Sequence, residues 1–438
     1  MNIYFLNLGC DKNLTDGEAM LGILKRSGHE IVSSPEAADA IAVNTCGFIK
    51  DAVKEGIENL LSLAEYKRSG NCRVLVAAGC MAERYREEIL KEIPEVDAVI
   101  GARGFGRIAE AVCGGLASYF TDAAPDSSLH IGRMLTAPTH TASLKIADGC
   151  DNLCAYCTIP KIRGAYYSRP IEDIVAEAGR LAAHGVKELA LVAQDAANYG
   201  ADLYGSRRLP ELLRELNGIN EIIWIRLMYM HPEHITDEII FAARSCVKVC
   251  AYMDVPMQHG STEVLRRMGR ANCTEESLRE LVKKLRREIP GVALRTTMMA
   301  GFPGETEREF EDLLEFCADM RFERMGVFAY SKEGGTPAAK MKPQIAQSVK
   351  RERYKKLMRM QQKISAEILS SSVGKTETVM VDGRDAATGT YAARRGKDAF
   401  EIDGSVHFDS DREILSGELV KVTITGSNEY DLIGEEIN

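Results

Sequence analysis

No apolar run in this 438-residue chain approaches the roughly 18 residues needed to span a bilayer. The opening MNIYFLNLGC has neither a basic segment nor a small-residue cleavage site. Both absences lead to the expectation of a cytoplasmic protein with no membrane partner. A basic excess is missing too: 55 Lys and Arg stand against 64 Asp and Glu, a net −9 with a pI near 5.6. No global field therefore draws in nucleic acid, although a local basic patch stays open. The composition is not that of a disordered, collagenous or coiled-coil chain, with 45% hydrophobic and 27% charged residues and a mean hydropathy of −0.16. Twelve cysteines are present. The cytosol keeps thiols reduced, and at about 100 to 200 residues per domain the length predicts two to four domains large enough to need no disulfides. Metal binding, catalysis and packing remain as uses for the cysteines.

The chain divides into three textures. Residues 1–120 alternate short β-branched runs (NIYFLNL, AIAVNTC, RVLVAAGC) with amphipathic stretches, and EVDAVIGARGFGRIAEAV adds a shorter turn of the same pattern. Right-handed crossovers then predict a doubly wound parallel α/β sheet. Thr121–Thr141 loses periodicity and gathers proline, serine and small residues, as a linker does. In 136–370 six apolar runs, each followed by a helical pattern, predict a partial (β/α)6 barrel, because a full eight-fold one takes about 250 residues. A basic amphipathic helix over Ile345–Leu369 closes that region, and 372–438 reads as a small all-β barrel of five strands.

Two cysteine constellations stand out. Cys150, Cys154 and Cys157 form CxxxCxxC just after the first strand of the second region. Three thiolates on a loop leaving a strand end can converge on one metal centre. Zinc would want a fourth ligand, and no cysteine or histidine stands nearby at ligand spacing. Three cysteines are what a four-iron, four-sulfur cluster with one open iron needs; the competing reading is chance clustering of packing cysteines. Cys10, Cys46 and Cys80 each end a predicted parallel strand, so if those strands are neighbours the thiols meet in one crevice. Independent buried cysteines are the alternative there. Cys72, Cys113, Cys273 and Cys317 are solitary, and Cys246 with Cys250 flank VKV; all six are expected to pack or lie on the surface.

With Tyr156 before the last cysteine, CxxxCxxC resembles the signature of the radical S-adenosylmethionine superfamily. The three strand-end cysteines before it and the β-barrel after it make the chain similar, from end to end, to the methylthiotransferases of that superfamily. The resemblance implies an N-terminal methylthiotransferase domain, a central radical domain and a C-terminal, OB-like TRAM barrel. It implies two 4Fe-4S clusters, one on Cys150, Cys154 and Cys157 that binds S-adenosylmethionine and yields a 5′-deoxyadenosyl radical, and an auxiliary one on Cys10, Cys46 and Cys80. A second S-adenosylmethionine would supply the methyl group, and a low-potential donor, ferredoxin or flavodoxin, the electron. No catalytic group beyond the cluster ligands is implied, and a monomer is expected. Tyr156, Gln194 and Arg295 are taken as cofactor contacts. Asp195, Arg226 and Gln258 also stand where they could point into the barrel mouth, but each of these strand residues can equally be a satisfied interior polar group. Gly301 and Gly304 of GFPGET make a strand-to-helix turn that Thr306 could cap.

The methylthiotransferases divide by substrate, adenosine in transfer RNA or the β-carbon of an aspartate in protein twelve of the small ribosomal subunit. LGCDKNLTDGE, NTCGFIKDAV, WIRLMYMHPEHITDE and DVPMQHGSTEVLRRMGR resemble the protein-modifying branch, where the tRNA branches usually carry QSGS in place of Gln258, His259, Gly260 and Ser261. Charge argues the same way: residues 372–438 hold 14 Asp and Glu against seven Lys and Arg. An acidic terminal barrel repels phosphates and favours a basic ribosomal protein, unless the charge serves solubility alone. A tRNA-modifying enzyme and a non-catalytic iron–sulfur carrier are the rival readings.

Overall fold

A computed structural model describes residues 1–136 and 138–437; Ala137, inside the linker, and Asn438, at the end of the last region, lie outside the described residues. The N-terminal sheet contains β1 (Asn2–Asn7), β2 (Glu30–Val32), β3 (Ala40–Thr45), β4 (Val74–Gly79), β5 (Ala98–Gly101) and β6 (Ser118–Tyr119), in the order β2-β1-β3-β4-β5-β6 with every pair parallel. All six residues of β3 are buried, as a strand covered on both faces requires. Alternate residues go to opposite faces. Ile41, Val43, Leu75 and Ala77 pack under Val53 and Leu60 of the helix Lys50–Ala64. Ala40, Ala42, Val76 and Ala78 pack under Ala19, Met20 and Leu24 of the helix Asp11–Arg26. The sheet is doubly wound, as the sequence predicts, and the edge strands β2 and β6 are additions too short to have shown a pattern.

The central sheet is built from β7 (Thr141–Lys145), β10 (Glu188–Val192), β11 (Trp224–Leu227), β12 (Val249–Asp254), β13 (Ala293–Ala300) and β14 (Arg324–Ala329). These six are all parallel in the order β14-β13-β12-β11-β10-β7, so β7 and β14 are open edges and the barrel is partial. A small antiparallel pair, β8 (Ala147–Asp148) with β9 (Tyr167–Ser168), brackets the CxxxCxxC loop. The last region is a closed five-stranded barrel, β15 (Thr376–Arg384), β16 (Tyr391–Arg395), β17 (Val406–Asp409), β18 (Leu419–Ser427) and β19 (Leu432–Glu436).

The connections between these units are packed. Arg133 in the linker is buried between Glu18 of the first domain (2.6 Å) and Glu177 of the second (2.9 Å). The helix Gln347–Ser370 buries Leu357, Ile364 and Leu369 together with two of its basic residues, Arg353 on Glu305 (2.7 Å) and Lys350 on the Tyr330 carbonyl (2.9 Å). The terminal barrel sits under the amino ends of the central strands. Glu188, the first residue of β10, binds both Arg226 and Arg394 at 2.7 Å. Tyr252 donates to Asp403 (2.8 Å), Arg324 to Asp398 (2.5 Å), and Ala399 packs against Val192, Met228 and Tyr252.

Candidate active site

β1, β3 and β4 are adjacent in the sheet, and each runs into a cysteine at its carboxyl end: Cys10, Cys46 and Cys80. Chain order reverses between β1 and β3, because β2 lies on the far side of β1, and such a switch point opens a crevice outside the strand ends. Two glycines let the ends crowd together. A Cβ on Gly9, which sits at φ +101°, would stand 3.0 Å from the Cβ of Cys46, and one on Gly47 would stand 2.6 Å from the carbonyl oxygen of Cys80. Asn13 ties all three ends, donating to the carbonyls of Leu8 (2.6 Å) and Thr45 (3.4 Å) and accepting from the Cys80 thiol (3.8 Å). Burial pushes the Cys80 thiol up to about 12 against the pull of Arg163, and it raises Cys46 as well.

The second triad lies on the loop between β8 and β9. Gly149 starts it at φ +75°, where a Cβ would meet the Ala165 carbonyl at 2.1 Å. The loop is pinned by hydrogen bonds from the backbone N–H of Cys150 to Gly164 (3.2 Å), of Ala155 to Met268 (2.8 Å) and of Cys157 to Cys154 (3.0 Å). The Ile159 N–H donates to the Cys157 sulfur at 3.4 Å. Burial, with the adjacent thiolates adding to it, pushes Cys150 up to about 11 and Cys157 to about 12. All twelve cysteines are free; Cys72, Cys246, Cys250, Cys273 and Cys317 are buried and Cys113 is exposed.

Among the described residues no three His, Cys, Asp or Glu side chains close on a point that would hold a single metal ion. What each site offers is three soft sulfur donors on strand-end loops, with N–H groups aimed at sulfur: Ile159 at Cys157, and Nε and Nη2 of Arg163 at Cys80 (3.3 and 3.2 Å). Thiolates alone, hydrogen-bonded at sulfur, fit an iron–sulfur cluster.

The two triads face each other across a domain boundary that Arg163 spans. Besides Cys80, its guanidinium donates to Asp16 (2.7 Å) and Asn13 (3.1 Å) of the first domain and to Asp148 (2.6 Å) of the second. Lys145 completes the group, donating to Asp16 and to Asp148 (3.1 Å). Burial opposes charge on Asp148, yet Arg163 and Lys145 hold its carboxyl well below the usual carboxylate range. Nearby, Thr158 donates to the carbonyl of Phe48 (3.4 Å), and Glu333 accepts from the Lys50 N–H (3.2 Å) and Arg84 (2.9 Å).

The remaining sequence candidates divide. Gln194 donates to Asp148 (2.7 Å) while its own oxygen is buried without a partner. Asp195 grips the cysteine loop through Asn152 (2.9 Å) and is itself held by His234 (2.6 Å). Tyr156 accepts from Arg270 (3.4 Å), stands edge-on to Phe302, and with Gln258 lines a cavity of about 870 Å³ that reaches Phe48, Phe328 and Tyr354. Arg226 is turned to the floor, donating to Glu188 and to the Gly396 carbonyl (2.8 Å). Arg295 is mostly covered and lies between Asp254 (3.6 Å) and Asp403 (3.7 Å). Thr306 caps its helix in a reciprocal box with Glu309.

Comparison with known proteins agrees with this anatomy. Residues 2–101 match the family described as "Uncharacterized protein family UPF0004", 144–317 the radical SAM superfamily and 373–437 the TRAM domain. A ribosomal protein uS12 methylthiotransferase RimO from Lachnoclostridium phytofermentans is 49% identical over 99% of each chain, and RimO proteins from Desulforamulus reducens and Geotalea uraniireducens are 45% identical over 99% of this chain and 99% and 98% of their own. The chain belongs to the RimO family. It is thus a radical S-adenosylmethionine methylthiotransferase. The solved radical S-adenosylmethionine methyltransferase TsrM from Kitasatospora setae shares the fold at 14% identity, with a TM-score of 0.57 over 88% of this chain and 79% of its own.

Within this RimO-family fold, sequence reading missed the residues between the triads: Asp16, Lys145, Asp148 and Arg163, and also Lys12, whose ammonium lies 3.2 Å from the centre of the Tyr229 ring. Only RGAYYS directly after the cysteine loop, with its arginine among small residues, offered a hint. The charge count also needs correcting. Asp382, Asp398 and Asp403 face His140, Arg324 and Arg295 at the domain boundary, so their charge is not on the outer surface. The exposed remainder, including Glu401, Asp409, Asp411 and Glu413, is still acidic.

Proposed function

We propose that the chain adds a methylthio group to the β-carbon of an aspartate in ribosomal protein uS12, in the cytoplasm and as a monomer, with ferredoxin or flavodoxin as the electron source. The observation that carries this reading is the pair of facing thiol triads in a chain matched end to end by RimO relatives. Cys150, Cys154 and Cys157 hold a 4Fe-4S cluster with S-adenosylmethionine on it, and Cys10, Cys46 and Cys80 hold a second cluster. When bound, these groups supply the hydrogen-abstracting radical, the sulfur to be transferred and, from a second S-adenosylmethionine, its methyl.

The protein's own contributions follow from the geometry. Tyr156 and Gln194 border the radical cluster loop, Gln194 with an unspent acceptor, and both serve as S-adenosylmethionine contacts. Arg295, shared between two carboxylates, reaches the cofactor less directly. The acidic exterior of the terminal barrel suits a basic ribosomal protein.

Mass spectrometry of uS12 and of digested tRNA, from cells with and without the gene, tests the assignment. Methylthio-aspartate that depends on the gene is expected; methylthio-adenosine with unmodified uS12 refutes it. In anaerobic reconstitution, Cys150→Ala and Cys46→Ala should each lose about one cluster of iron, and Cys317→Ala none. Only Cys150→Ala should abolish cleavage of S-adenosylmethionine.

A further inference from the structure

A buried cation without an anion is an expensive object, and proteins pair nearly all of theirs. That holds here: Lys145, Arg163, Arg226, Arg353 and Arg394 all stand within 4 Å of a carboxylate. Of the buried bases lacking one, Arg270 and Lys350 donate to oxygen atoms. Among the described residues Lys12, 8% exposed, is the buried lysine or arginine that does neither. Its ammonium lies 3.2 Å from the centre of the Tyr229 ring, and Cys10, Asp11 and Asp254 act on it only from beyond pairing distance.

The surroundings of Lys12 look built. It follows Cys10 by two residues, at the carboxyl edge of the first sheet, and it crosses to a tyrosine that follows β11 at the carboxyl edge of the second. Tyr229 is held in the left-handed region at φ +57°, a conformation a tyrosine adopts only under constraint. The constraint is visible: its N–H donates to Asp254 (3.2 Å) and its hydroxyl to Asp11 (3.4 Å). Two carboxylates therefore fix the ring, and the ring fixes the lysine, yet neither carboxylate pairs with the ammonium. The arrangement keeps one positive charge desolvated beside Cys10, where the first domain meets the second.

We infer that Lys12 is the binding group for the carboxylate of the acidic side chain that is modified. The inference rests on the proposed function, since it needs an aspartate substrate. It adds a reason for substrate choice: a neutral nucleobase offers this ammonium acceptors without charge, whereas a carboxylate supplies the missing anion. An amide in place of the acid offers a neutral oxygen and leaves the buried cation without an anion, which weakens binding more than a change of shape alone.

The test compares uS12 carrying Asp at the modified position with uS12 carrying Asn there. Binding to the reconstituted holoenzyme is measured with a non-cleavable S-adenosylmethionine analogue, and turnover is measured separately by mass spectrometry. The wild type should bind the Asp form at least tenfold more tightly. Lys12→Met, which keeps an unbranched side chain on Tyr229, should bind both forms as weakly as the wild type binds Asn, with iron content and uncoupled S-adenosylmethionine cleavage intact. Lys12→Arg should regain part of the preference. If Lys12→Met keeps the Asp preference, or loses a cluster's worth of iron, Lys12 is not a substrate group and the inference falls while the function stands. If the wild type leaves uS12 unmodified and modifies tRNA, the proposed function itself falls.

Discussion

Replacing Arg163 by Gln is the sharpest probe of how the first two domains are held together. The guanidinium is 2% exposed and is shared by Asp16 and Asp148, which lie in different domains. Its removal leaves those two buried carboxylates with Lys145 as their shared cation, beside the Gln194 amide on Asp148 and the His130 ring 3.8 Å from Asp16. Breaking a buried ion pair from one side costs about 3–5 kcal/mol, and because Lys145 remains we place Arg163→Gln at the lower end, ~3 kcal/mol. For a unit of this size each kcal/mol moves the melting temperature by about 2–4 °C, which gives a fall of ~6–12 °C. Scanning calorimetry of the metal-free protein reads this without a contribution from cluster binding. The double variant Arg163→Gln with Asp16→Asn should recover part of the loss, because it removes one of the stranded charges. A single variant that melts within about 2 °C of wild type would refute the reasoning and show the contacts to be energetically neutral.

Three further outcomes are expected. Gly149→Ala should prevent the Cys150 loop from closing on Ala165 and lower reconstituted iron, whereas Gly374→Ala, at φ +83° with open space around it, should cost only about 1 kcal/mol and leave iron unchanged. Burial opposes charge on Asp398, but Arg395 and Arg324 bring its carboxyl down to about 2. Because this lies below the unfolded value, the stabilisation, ~2–3 kcal/mol, is present above about pH 4 and lost as pH falls toward 2. Trp224, the single tryptophan, lies beside Gly396 of the terminal barrel, so its fluorescence should report undocking in that window, and Asp398→Asn should flatten the change. Neutralising the exposed Asp409, Asp411 and Glu413 should slow association with uS12 and weaken its salt dependence, with uncoupled S-adenosylmethionine cleavage unchanged; stopped-flow rates across ionic strength check this.

The fold was legible because its signals are local. β-branched runs ending in Cys10, Cys46 and Cys80 read as parallel strands, and the sheet order makes those strands neighbours. The groups that join the triads were not legible, since their meaning lies in distant partners: Arg163 meets Cys80 across 83 positions, and Asn13 across 150. Their strand positions set Arg226 and Arg295 where they could point into the barrel mouth but could not give their partners. Arg226 pairs with Glu188, and Arg295 lies between Asp254 and Asp403. The same blindness to partners made Asp382 and Asp398 look like surface charge.

A closed ring of strands can be entered only along its axis. In the central sheet β7 and β14 never meet, and beneath it the axis is stopped by Ala399 and its neighbours. The large cavity opens at the β14 side, past Phe328 and Tyr354. What remains is a crescent with a lateral slot, and a slot has a property that a hole lacks. It is open along its length as well as at its end, so a segment lying flat on the surface of a larger particle meets it from the side, without having to project down an axis.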